Sequence, residues 1–157
     1  MARRRVEGWI TPLWLAHHYP DGYDRCVRIG RSHVCRRCLV LYPLAVAVLL
    51  VGLAIGAPAA SPLDGMLTAV LLVALPIPAV IEWTLEHSGV VAYSPRRQVL
   101  VSVPLGLGLG AGFVRYLDNL TDPLFWGVVV VYGGYCAAIA LLLARRVGPG
   151  NADPDGQ

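Results

Sequence analysis

Residues 35–55 read CRRCLVLYPLAVAVLLVGLAI, in which two cysteines and two arginines precede an uncharged apolar run, Leu39–Ile55. A helix needs roughly 20 apolar residues to cross about 30 Å of hydrocarbon. The run comes close to that length, and it is not isolated. Met66–Ile81, Val99–Val114 and Leu124–Ala144 repeat its character. The second and third runs are short by this count, which predicts that they extend into the interface or cross with little tilt. Brief connections make sequential helices antiparallel neighbours. The reading is an all-α polytopic membrane protein with four transmembrane helices. It divides into an N-terminal Cys/His segment (1–38), a bundle (39–144) and a flexible tail (145–157).

Composition agrees. Hydrophobic residues make up 56% of the 157 and charged residues 15%, with a mean hydropathy of +0.59. Soluble domains carry about 45–50% and about 25%, so this chain lacks the polar surface to stay in water. Disorder is excluded by the same figures. A collagen-like chain or a disulfide scaffold is excluded because the 17 Gly have no period and there are only 4 Cys. All 13 basic residues are arginine, a bias that fits a GC-rich genome better than 13 separate demands for guanidinium chemistry.

The position of the arginines orients the molecule. Eight of them lie in residues 1–38, against Glu7, Asp21 and Asp24, while Arg96 and Arg97 stand in the 82–98 connection and Arg145 and Arg146 in the tail. The other two loops contribute Arg115 alone. Basic residues in short loops stay on the cytoplasmic side, so both termini are expected there, in a prokaryotic cell membrane. Trp14, Tyr42, Trp83, Tyr93, Tyr116 and Trp126 fall near the span ends, where interfacial aromatics collect. No signal peptide is expected, since the first apolar run begins behind the Cys and His residues.

The sharpest chemical signal is the series His17, His18, Cys26, Cys35 and Cys38. A Cys-x2-Cys pair lets two thiolates converge on one tetrahedral ion, and Cys26 with an upstream histidine completes a closed zinc site. The expected ligands are Cys26, Cys35, Cys38 and His18, with His17 the alternative fourth; His33 is too close to Cys35 in sequence. A cytoplasmic setting keeps thiols reduced, leaving a dithiol redox pair at Cys35 and Cys38 and unpaired packing cysteines as rival readings. Arg25, Arg28, Arg31, Arg36 and Arg37 interleave with these residues. They would offset the thiolate charge, and as a juxtamembrane basic patch they would meet anionic lipid head groups. Nucleic acid is not expected, because the patch has no stacking surface or recognition helix.

Glu82 and Glu86 lie one helical turn apart on one face, and with His87, Arg96 and Arg97 they are expected on the side that carries the cysteines. A solvated helix end with ordinary ion pairs is one reading. The other makes Glu82, Glu86 and Arg97 catalytic candidates, with Glu82 as base or cation ligand and Arg96 or Arg97 gripping a phosphate or carboxylate. Farther on, Gly106 with Gly110 and Gly108 with Gly112 form two interleaved small-xxx-small pairs, which predict close helix packing rather than a phosphate loop. Pro76, Pro78 and Pro104 lie inside spans, Cys136 reads as an inert buried residue, and Arg115 is placed to pair with Asp118. Asn119-Leu120-Thr121 matches a glycosylation sequon.

The paired histidines, Asp24-Arg25-Cys26, Cys35-x-Arg37-Cys38 before an apolar span, Glu82-Trp83 and Ser94-x-x-Arg97 before a Gly-rich helix resemble the small membrane proteins grouped as domain of unknown function 2085. The likeness covers roughly residues 17–112. Val40 and Val27 stand where that family often carries Gly and His. The resemblance implies a polytopic membrane protein with a Cys/His element and brings no activity with it. The leading expectation is a structural zinc knuckle that orders a cytoplasmic surface for lipid head groups, a membrane-protein partner or a second copy of the chain. Its alternatives are an enzyme acting on a lipid-linked anionic substrate at that leaflet and a thiol redox protein. Arg36, Arg37, Arg96 and Arg97 are the expected anion contacts.

Overall fold

The structure, a computed structural model, describes residues 20–56 and 62–146. Residues 1–19, with His17 and His18, and the tail beyond 146 lie outside them. The described chain is mostly helical. A 3-10 turn, Pro20–Arg25, leads into strands β1, Cys26–Ile29, and β2, Ser32–Cys35, and five helices follow: α1 Arg36–Ala54, α2 Pro62–Ala74, α3 Ile77–His87, α4 Pro95–Asp118 and α5 Pro123–Arg146.

Four helical segments are long and apolar enough to cross a membrane: Arg36–Ala54, Gly65–His87, Pro95–Asp118 and Pro123–Leu143. These are the four expected runs; the first and fourth are shifted by one to three residues, and the second and third are longer at both ends. The second and third reach 23 and 24 residues, which removes the shortfall seen in hydropathy alone. Their extra turns are polar, and hydropathy cannot see a helix there.

Two local features depart from the expected all-α pattern. The segment around Cys26 and Cys35 is a β-hairpin, closed by Gly30-Arg31 with Gly30 at φ +60°, a conformation that costs glycine nothing. The second span is two helices, because Pro76 and Pro78 cannot donate the N–H groups that would continue α2. At this break the Tyr132 hydroxyl of α5 donates to the Val73 carbonyl, the kind of neighbour contact that makes proline tolerable inside a membrane.

Packing centres on α4. A methyl group added at Gly106 would meet the Leu41 carbonyl oxygen at 3.0 Å, and one at Gly110 would meet the Ala45 carbonyl oxygen at 2.6 Å. At Gly108 it would meet Leu75 Cβ at 3.3 Å, and at Gly112 Leu72 Cδ2 at 3.1 Å. One glycine pair therefore seats α1 and the other seats the second span. Buried positions in the bundle include Ser102, Gln98 and Glu82, while Leu50, Val51, Val130, Val131 and Leu141 are exposed. An interior that holds glycine and polar side chains beside Leu41, Leu72 and Phe125, inside an apolar exterior, suits helices whose surroundings are lipid.

Candidate functional site

The hairpin and the first turn of α1 bring three cysteines to one end of the bundle. Cys26 and Cys35 are register partners across the hairpin, and both are buried. Counting back from the two-residue turn, they fall at a non-hydrogen-bonded pair, the closer of the two antiparallel spacings. Cys35 is also the residue that caps α1, and Cys38 follows in the first turn with its thiol hydrogen-bonded to Cys35. Both residues thus lie at the N-terminal turn of α1, the positive end of its dipole. Burial, then Cys35 and Asp24, raises the Cys26 thiol above its ordinary value, with Arg36 acting against them. None of the four cysteines is in a disulfide. Among the described residues, no group of three or more His, Cys, Asp or Glu side chains is arranged to hold a metal ion. His33 stacks on Tyr23 with ring centroids 4.1 Å apart.

The same end gathers the expected acids and arginines. Glu82 is 4% exposed. Its Oε2 accepts from Arg37 at 2.8 Å and its Oε1 from Arg97 at 3.4 Å. Arg97 also donates to the Ala92 carbonyl at 2.6 Å. One turn later, Glu86 forms an ion pair with Arg25 at 2.5 Å. The Arg25 guanidinium also lies 5.1 Å from the centre of the Tyr93 ring, a cation–π distance. Tyr93 in turn donates to the side chain of the buried Gln98 at 3.2 Å.

Sequence spacing had put Glu82 and Glu86 on one face; the structure adds that this face meets the chain on either side of the hairpin, through Arg25 and Arg37. Arg25 immediately precedes Cys26, and Arg37 lies between Cys35 and Cys38, so the cysteine segment carries two of the three guanidiniums that reach these acids. Arg25 and Tyr93 had no sequence signal marking their contacts, since the partners come from distant segments. His87, expected to join the group, folds back on its own helix, where Nδ1 lies 2.8 Å from the Trp83 carbonyl oxygen and the ring packs on Trp83. Arg96 is exposed, and Arg36 Nε is buried with no hydrogen-bond partner among the described residues. Of the five arginines at this end, Arg25, Arg37 and Arg97 meet the two buried carboxylates, and with Arg36, Arg96 and Asp24 counted the balance of charge is positive.

At the opposite end, Arg115 pairs with Asp122, at 2.5 Å to Oδ2, and not with the expected Asp118. Asp122 caps α5 by accepting the Phe125 N–H at 2.7 Å, with Pro123 at the first helical position, a common helix start. The arginine goes to the carboxylate that the next helix already holds in place. Asn119 Oδ1 accepts from the backbone and hydroxyl of Thr121, closing the sequon into a local turn.

Comparison with known proteins finds no matching family model, no matching curated protein and no matching solved structure. Function is therefore argued from this geometry.

Proposed function

We propose that this is an integral membrane protein of a binding class, whose cysteine hairpin orders a basic surface for anionic lipid head groups on the cytoplasmic side. The observation that carries this reading is the surplus of guanidinium over carboxylate where the segments flanking the hairpin meet α3 and α4. Two acids hold Arg25, Arg37 and Arg97 in fixed places, and Arg36 and Arg96 stand beside them. Each arginine near an anionic surface adds about 1 kcal/mol of attraction. Both carboxylates already face guanidiniums, which favours binding over catalysis by Glu82, Glu86 or Arg97.

Zinc is the ion this donor set suits. Cys26 and Cys35 are paired across the hairpin and Cys38 touches Cys35; as they stand the three thiols are not arranged to hold an ion, and a three-thiolate set would need them to turn toward one, with His18 or His17 completing it. Bound there, the metal would supply a four-coordinate staple at the root of the hairpin.

Two measurements test this reading. Elemental analysis of the protein purified in mild detergent should find about one zinc per chain; a folded, metal-free sample removes the staple. Native mass spectrometry of protein from mixed nanodiscs should show phosphatidylglycerol retained over phosphatidylcholine. The Arg36→Gln and Arg96→Gln variants should each lose about fivefold of that preference. Equal retention of the two lipids defeats the head-group reading.

A further inference from the structure

Between the second span, α4 and α5 the bundle leaves a groove. One cavity of about 210 Å³ is lined by Leu72, Leu109, Gly112, Phe125 and Val129. Another of about 400 Å³ is lined by Arg37, Ala79, Val80, Trp83 and Cys136. Both also touch Pro76, Leu105, Tyr132 and Gly133, so they are two lobes of one channel, with Tyr132 standing between them. Along α5 the channel runs from Phe125 to Cys136, about 16 Å at the helical rise, or about half of a bilayer's 30 Å hydrocarbon thickness.

The sequence explains why it stays open. Gly108 and Gly112 of α4 lie on this side, and on α5 Gly133 has no heavy atom within 4 Å of where a Cβ would stand. The lining is hydrocarbon, aromatic ring and glycine almost throughout, and its one charged residue, Arg37, lies at one end. That guanidinium is held by Glu82 through one N–H, and the fork carries five donors in all. A narrow apolar channel half a bilayer long, with a fixed cation at its mouth, is complementary to a chain bearing an anionic head.

We propose that this groove seats one acyl chain of an anionic phospholipid, with its phosphate at Arg37. The proposal rests on the head-group reading and adds to it a place for the chain. It also gives Tyr132 and Gly133 a role beyond packing, since together they set the width of the channel.

Trp83 lines the groove and can report on it. In a protein whose other tryptophans, Trp9, Trp14 and Trp126, are replaced by Phe, the emission of Trp83 is measured in vesicles carrying chain-brominated phosphatidylglycerol or chain-brominated phosphatidylcholine. The anionic lipid should quench Trp83 at about a fivefold lower mole fraction. Gly133→Leu, which fills the channel, should abolish that difference. Gly134→Leu, one residue along and outside the lining, should leave it intact. Arg37→Gln should weaken the difference as well, but it also strips Glu82 of a partner, so Gly133→Leu is the deciding variant. Preferential quenching that survives Gly133→Leu overturns the groove while leaving the head-group reading standing on lipid retention. Equal quenching by both lipids in the parent overturns the proposal too, and the retention experiment then shows whether head-group selectivity has failed with it.

Discussion

Arg37 Nη2 lies 2.8 Å from Glu82 Oε2, and Arg97 Nε lies 3.4 Å from the other oxygen of the same carboxylate. One buried acid thus joins the start of α1, 45 residues away in sequence, to the end of the second span and the start of α4. Glu82→Gln keeps the shape and removes the charge, leaving two guanidiniums against a neutral amide. Breaking a buried pair from one side costs about 3–5 kcal/mol, and the partial exposure of Arg97 points to the lower end of that range. The thermal midpoint in detergent should fall clearly. A midpoint equal to that of the parent would mean that the carboxylate holds nothing together.

The Arg25 and Glu86 pair holds the hairpin rather than the bundle. Arg25 is about a third exposed, which keeps its contribution near 1 kcal/mol. Arg25→Gln should speed amide hydrogen exchange in residues 26–35 by about fivefold and leave the protection of α4 unchanged. Equal acceleration throughout the chain would show that this contact stabilises the whole fold instead.

Glycine packing makes a prediction with an internal control. Gly110→Ala drives a methyl to 2.6 Å from the Ala45 carbonyl oxygen, whereas Gly127→Ala meets no atom within 4 Å. Overpacking costs about 1–3 kcal/mol. Gly110→Ala should therefore lower the unfolding midpoint while Gly127→Ala leaves it nearly untouched; matching midpoints would mean that α1 and α4 can separate freely.

Asp122 sets a pH dependence. Its hydrogen bond to Arg115, together with the N–H groups of Phe125 and Leu124, outweighs burial and holds its carboxyl below the ordinary value. A depressed folded-state value means that the stabilisation is present above the unfolded carboxyl range near 4. It is lost as pH falls through the lower folded value. Between pH 6 and 3 the parent should lose more stability than Asp122→Asn, which keeps a capping oxygen without the charge. Asp122→Ala should in addition cost about 1 kcal/mol at pH 7 for the lost cap. Parallel pH curves for the parent and Asp122→Asn would refute the linkage.

The four spans and the two glycine pairs were legible because both are local patterns, one of hydropathy and one of spacing. The first turn of α1 was not, because Arg36, Arg37 and Cys38 are helical through the hairpin that leads into them and not through their own apolarity. Pro76 and Pro78 announced a disturbance, but the donor that relieves it, Tyr132, comes from another helix. Glu82 and Glu86 were placed on one face correctly by their four-residue spacing. Their arginine partners were not legible, because those contacts are made by chain segments that meet only after folding. Arg115 was assigned to Asp118 by helical spacing, a rule that cannot anticipate an acid already fixed at the start of the next helix.

Residues two apart on a helix point about 200° from each other, so the two glycine pairs of α4 look in nearly opposite directions. Turning α4 in either sense would swing its flanking Leu side chains into the places where α1 and the second span now press against bare backbone. These three spans are therefore locked as a single body. The motion that would let a chain enter the groove has to come from α5, in which Phe125 is the one buried residue among those described.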